Sequence, residues 1–346
     1  MDVPLTTLFR MDLIEIVRFG SMIIAFLLLA VLGDRKTWIT TDLMITSGWG
    51  LALLAVPSVS MGFMVKSLED PMMHEKPEEV ITGLTPKQLL ICRITGVVIL
   101  GMTIVRYLTR ESRDGTVHIT ILMSRVFVNS LVLMCQVYSY FLTNKGKKSL
   151  TWSTERDLVD EIRNSAQFVK AGIVGTLLWL LGTLVHLLRS NDYMTYPQHN
   201  IRLNNHLRLD AWLAMVSAIA FLAFPDYLLS AVFGITVPNA VHFHLMRGIG
   251  AFSMGEAVIS MQAPGFLHER DKRAQLHGRL TTQLCLLAPC AFACYVSGIM
   301  KPKQFLFLFL LVAPVIVNAL IAYFTDCTVI YRVPKRDTEV NGGKDD

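Results

Sequence analysis

Glu256 is the residue in this sequence with the clearest capacity for chemistry. It lies in the apolar run 245–261, where a carboxylate is costly unless it is paired, protonated or part of a polar path. Two roles are open to it: a station on a substrate or proton path, and a packed, hydrogen-bonded group inside a helix bundle. His242 and His244 precede it, and a His-x-His pair is a conceivable metal chelate, but a spacing of two points the rings to different sides of a helix. His186, near the end of the run 168–188, has the chemistry of a haem ligand and no recognisable partner. No metal or cofactor is therefore expected.

Four arginines form the second set. Arg93, Arg125, Arg247 and Arg279 stand toward the ends of apolar runs, where a guanidinium can reach the aqueous boundary, and are expected to contact lipid headgroups or anchor helix ends. Asn129 and Gln283 follow Arg125 and Arg279 by four residues, one helical turn, and are placed to brace them. Pro225 and Asp226 form the third set. Proline removes a backbone donor and Asp accepts from freed amides, so a helix break is expected at 224–227, with the following LLSAVFG as a short interfacial helix.

These residues ride on apolar runs at 13–32, 43–65, 89–108, 119–142, 168–188, 211–235, 245–261, 276–299 and 305–324. Each approaches the roughly 20 residues that carry a helix across about 30 Å of hydrocarbon. The composition agrees, with 53% hydrophobic and 17% charged residues and a mean hydropathy of +0.47, against about 25% charged in a soluble domain. The fold class expected is all-α, a polytopic transmembrane bundle of about nine helices. Glu15 and Arg18 interrupt the first run, which reads as a marginal span with those two residues paired three apart, not as a cleavable signal peptide.

Within the runs the sequence answers itself. Ala52–Pro57 (ALLAVP) parallels Ala220–Pro225 (AFLAFP), Arg93 and Gly96 parallel Arg247 and Gly250, Gly101 parallels Gly255, and Arg125 with Asn129 parallels Arg279 with Gln283. The two arginines of each half are 32 residues apart (125 − 93 and 279 − 247). Two four-helix repeats at 43–190 and 207–326 are expected to follow an N-terminal helix and loop at 1–42 and to precede a polar, disordered tail at 327–346. An even number of helices per unit makes the two repeats parallel, related by an axis along the membrane normal. The glycines Gly96, Gly101, Gly250 and Gly255 suit close helix approach. Met102 stands where the second half has Glu256, so any role for that carboxylate belongs to one half.

Net charge is +5 and the isoelectric point about 8.9, carried by short connections such as 66–80, 144–164 and 268–273. That distribution suits anionic headgroups, and membrane lipids and other membrane proteins are the expected partners. No basic stripe or zinc spacing supports nucleic acid as a partner. The basic residues of the connections lean toward a cytoplasmic C-terminus. Six cysteines without a CxxC read as buried thiols, not as a disulfide framework. No GxSxG, HExxH or P-loop occurs, so an enzyme is not expected.

The stretch Ala223-Phe224-Pro225-Asp226, followed by Ala231-Val232-Phe233, Arg247-x-x-Gly250 and Arg279-Leu280-Thr281-Thr282, resembles the four-helix membrane family of the tumour protein p53-inducible protein 11 over residues 207–326. The first half keeps Pro57 but has Ser58 in place of Asp226, a departure from that pattern. The resemblance implies an endoplasmic-reticulum or other endomembrane protein linked to growth control, without catalytic residues to carry over; the plasma membrane is the alternative location. A non-enzymatic multi-pass scaffold, interaction or regulatory component is the function expected. A small-molecule or lipid transporter with its site between the repeats is the alternative.

Overall fold

The computed structural model describes residues 24, 26, 28–64, 85–149, 155–190, 201–235, 238 and 240–324. The Glu15–Arg18 pairing, most of the run 13–32, the loop 66–80 and the tail 327–346 lie outside the described residues. Among those described, all regular structure is helical: α1 (Arg35–Ala55), α2 (Pro57–Met64), α3 (Pro86–Thr109), α4 (Gly115–Ser149), α5 (Glu155–Leu188), α6 (Ile201–Ala223), α7 (Pro225–Phe233), α8 (Ala240–Gln262), a 3₁₀ turn (Ala263–Gly265), α9 (Glu269–Tyr295) and α10 (Pro302–Phe324).

Helix ends follow from local chemistry. Asp34 caps α1 by accepting from the Thr37 amide at 2.9 Å. Thr85 and Gln88 close a capping box over α3 with Pro86 at its first position, where the missing N–H costs nothing. Two interior prolines act alike. α1 stops at Val56 (φ −131°, ψ 57°) before Pro57, and α6 stops at Phe224 (φ −123°, ψ 44°) before Pro225. Each proline restricts the residue before it away from helical geometry and then opens a short helix of its own. The expected break at 224–227 is present, with α7 beginning at Pro225 itself and ending on Gly234 at φ 61°, a left-handed conformation that suits glycine. The N-cap position is Phe224, which supplies no side-chain cap, and Asp226 is an exposed acidic residue of the first turn.

α3 and α8 lie against one another at the centre. α1 packs on α3 and α6 on α8, while α9 packs on α3 and α4 on α8. The third long helix of each half thus crosses over to the second helix of the other half. Glycines permit these approaches. A Cβ at Gly96 would press on Gly50 and Leu54, and one at Gly250 on Ala218 and Leu222; a Cβ at Gly101 would overlap Thr282, and one at Gly255 would meet Val128, Met102 and Ser124. At one end of the bundle the loop after α3 is tied to the loop after α8, through Asp114 Oδ2 accepting from the Leu267 amide at 2.8 Å, and to the first turn of α9, through Ser112 donating to Asp271 at 2.6 Å. One apolar core lies around Trp38, Met102, Leu122, Ile259 and Leu276, and a second around Ile91, Val98, Leu229, Met246 and Cys290.

Among the described residues, four helical segments are long and apolar enough to cross a membrane: Pro86–Thr109, Gly115–Tyr138, Arg202–Ala223 and Pro302–Ala322. Gly172–Leu188 is a shorter apolar stretch. Fewer segments than the nine apolar runs meet that measure: most of the run 13–32 lies outside the described residues, α1 ends at Val56 and carries Asp42, α8 carries Arg247 and Glu256, and α9 opens with Glu-Arg-Asp-Lys-Arg and carries Arg279. The outward faces of α6 (Trp212, Val216, Ile219) and α10 (Leu306, Leu310, Val317, Ile321) are exposed apolar stripes, surfaces that water disfavours and hydrocarbon does not.

The Asp34 cap gives a modest, checkable effect. Asp34→Ala is expected to cost about 1 kcal/mol. Its hydrogen bonds from Thr37 hold the carboxyl below the ordinary aspartate range. A depressed carboxyl stabilises the fold above the ordinary aspartate value and loses that contribution as pH falls through the folded value, so the difference between wild type and Asp34→Ala in thermal unfolding should vanish only below about pH 4.

Two buried ion-pair centres

Asp42, on the second turn of α1, is 4% exposed and gathers three donors from three other helices. Arg125 of α4 reaches its Oδ1 through Nε at 3.2 Å and Nη2 at 2.7 Å. Arg106, in the last turn of α3 and fully buried, donates Nη1 to Oδ2 and to Thr46 Oγ1 at 3.2 Å. Trp179 of α5 donates its indole N–H to Oδ1. The Trp179 ring stacks on Trp38 at 5.1 Å, and His186 stacks on Trp38 at 5.0 Å. An aromatic wall therefore shields the carboxylate, and His186 is one of its members.

Asp210, near the middle of α6, is fully buried and forms the second centre. Arg279 of α9 donates Nε to its Oδ1 at 3.0 Å and Nη1 to Glu256 Oε2 of α8. Ser260 donates to Asp210 Oδ2 at 2.5 Å, and Gln275 Nε2 donates to Ser260 at 2.8 Å. Glu256 itself is 2% exposed. It sits packed in the bundle with a guanidinium partner.

The centres occupy matching places. Asp42 and Asp210 each stand 15 residues before the proline at which their helix breaks (57 − 42 and 225 − 210), and Arg125 and Arg279 each stand on the helix that crosses over. The other partners differ: Met102 and Arg106 of α3 are replaced by Glu256 and Ser260 of α8, each 154 residues on (256 − 102 and 260 − 106). The first centre thus joins two guanidiniums to one carboxylate, and the second joins one guanidinium to two carboxylates. Their unmatched atoms follow the same asymmetry. Arg106 Nη2 is a buried donor without a partner, and Glu256 Oε1 and Gln275 Oε1 are buried acceptors without one. The helix crossings lie beside the centres, since Ser124, next to Arg125, donates to the carbonyl of Gly255, next to Glu256, and Val105, next to Arg106, fills the space over Gly278, next to Arg279.

The expected anchoring role needs correction for two of the four arginines. Arg125 and Arg279 are 6% and 3% exposed and turned onto carboxylates, because α4 and α9 begin several residues before the apolar runs do. Arg279 is ten residues into α9, about 15 Å along its axis. Arg93 and Arg247 are half-buried at the other end of the bundle, with Arg247 over the Tyr138 ring at 4.8 Å. The brace expected from Asn129 is not made; its Nδ2 is buried without a partner. His242 is buried and His244 half-buried, and among the described residues no three His, Cys, Asp or Glu side chains gather as a metal site. Cys92, Cys290 and Cys294 are buried free thiols.

No curated protein matches this chain, and no solved structure does. A family model described as Domain of unknown function (DUF8292) matches residues 40–324, a span that runs from α1 through α10 and contains both centres, and the chain belongs to that family.

Proposed function

We propose that the chain is a multi-pass membrane protein of two similar four-helix units running in the same direction, acting without catalysis as a scaffold, interaction or regulatory component. The observation that carries this reading is the commitment of the charged side chains inside the bundle to one another. Asp42, Arg106, Arg125, Asp210, Glu256 and Arg279 are all nearly or fully buried in ion pairs, an arrangement that fixes helices in place. The paired proline breaks, the paired glycine crossings and the two Asp–Arg pairs support a duplicated unit. The exposed apolar stripes of α6 and α10 support a lipid surrounding, with an endomembrane as the compartment and lipids or other membrane proteins as partners.

Transport of a small molecule or lipid between the units is the second reading, favoured by the buried unmatched atoms Arg106 Nη2, Glu256 Oε1 and Gln275 Oε1. Solvent access separates the two. With Cys135, Cys285 and Cys327 replaced by Ala, Ser260→Cys is expected to stay unreactive toward a membrane-impermeant thiol reagent applied to either face of reconstituted vesicles. Rapid labelling from one or both faces would establish a water path to the centre and favour transport.

A further inference from the structure

The second centre holds more acceptors than donors, and its hydrogen-bond logic is fixed. Ser260 spends its single proton on Asp210 Oδ2, so its oxygen takes the bond from Gln275 Nε2, which sets the Gln275 amide with Oε1 directed away from Ser260. Gln275 Oε1 and Glu256 Oε1 are then both buried acceptors with no donor. Glu256 and Ser260 are one turn apart on α8, and Gln275 and Arg279 are one turn apart on α9, so the bridges Glu256–Arg279 and Ser260–Gln275 are successive rungs between the two helices. With both acids ionised the centre carries one excess negative charge at positions no more than 3% exposed, the condition under which a buried carboxylate is most costly.

We propose that Glu256 is a proton-binding site: the folded chain takes one proton from water onto Glu256 Oε1. The proton turns an unmatched acceptor into a donor and neutralises the excess charge. Asp210 and Arg279 remain as an ion pair, and Glu256 Oε2 still accepts from Arg279. The charged groups acting on Glu256 are Arg279 of α9 and Asp210 of α6. α3 presents Met102, and α4 presents Ser124 and Val128, to the α8 segment at Gly255; the cations of those two helices beside this level, Arg106 and Arg125, are turned onto Asp42. The first centre, with Met102 in the matching place, has no such site. The proposal goes beyond the scaffold reading and does not depend on it.

Two readouts on the purified full chain in detergent test it. Infrared spectra near neutral pH should contain a neutral carboxylic-acid carbonyl band, shifted by deuterium exchange and lost in both Glu256→Gln and Glu256→Met, the second variant placing the first centre's residue here should the first fail to fold. Because the folded chain holds a proton that the unfolded chain, titrating near pH 4.3, has released, stability should fall as pH rises, by up to tenfold in the folding constant per pH unit through the site's titration. The Glu256→Gln variant should lose that dependence. A carbonyl band unchanged in both variants, or a pH dependence retained in Glu256→Gln, overturns the assignment. Stabilisation of the wild type by sodium or potassium at fixed pH, absent in Glu256→Gln, would also overturn it, in favour of a metal cation.

Discussion

Asp210→Asn is expected to destabilise the fold by about 3–5 kcal/mol, the cost of removing one partner from a buried ion pair and leaving the other uncompensated. Asparagine keeps the shape and some hydrogen bonding to Ser260 and Arg279, so the loss reads the charge. Asp42→Asn should cost at least as much, because it leaves Arg106 and Arg125, both buried, facing one another without the carboxylate between them. Asp226→Asn, at an exposed position on α7, should change stability by less than about 0.5 kcal/mol. Unfolding in detergent measures all three. Equal effects at Asp210 and Asp226 would show that the ion pair does not organise the bundle.

Gly101→Ala is expected to cost about 1–3 kcal/mol by overpacking. The new methyl would overlap the Thr282 side chain across the α3–α9 crossing, and neither helix can retreat without disturbing Arg106 or Arg279. Thr282→Ala should recover part of the loss, since it removes two of the three overlapping atoms and leaves the Thr282 Cβ. Gly248→Ala is the opposite case: nothing lies within 4 Å of its added carbon, and alanine in an open helical position should stabilise by about 0.5–1 kcal/mol. The measurement is the same unfolding series, and a neutral Gly101→Ala would contradict the close crossing.

The parts of this arrangement that were legible in the sequence are those written in local chemistry. Pro225 announced a break because proline acts on its own neighbours, and Pro57 acts likewise. Gly96, Gly101, Gly250 and Gly255 announced close packing because a missing side chain is a local fact. The centres were hidden because their members are far apart in the chain: Asp42 and Arg125 are separated by 83 residues, and Asp210 and Arg279 by 69, with no spacing rule to link them. Asp42 and Asp210 stand at or just before the start of apolar runs, where a carboxylate looks like part of a connection. Trp179 and Arg106 sit inside runs whose hydrophobicity conceals them. The one available signal was arithmetic, since the aspartates that precede Pro57 and Pro225 do so by the same 15 residues (57 − 42 and 225 − 210).

Asp42 with Arg125 and Asp210 with Arg279 are expected to be energetically equivalent buried pairs, one in each half. Double-mutant cycles with Asp→Asn and Arg→Gln substitutions, run on both pairs by unfolding in detergent, address this directly. The expected result is a coupling free energy of about 2–3 kcal/mol for each pair, near the upper end for residues in one buried network. Additivity within about 0.5 kcal/mol at either pair would contradict it.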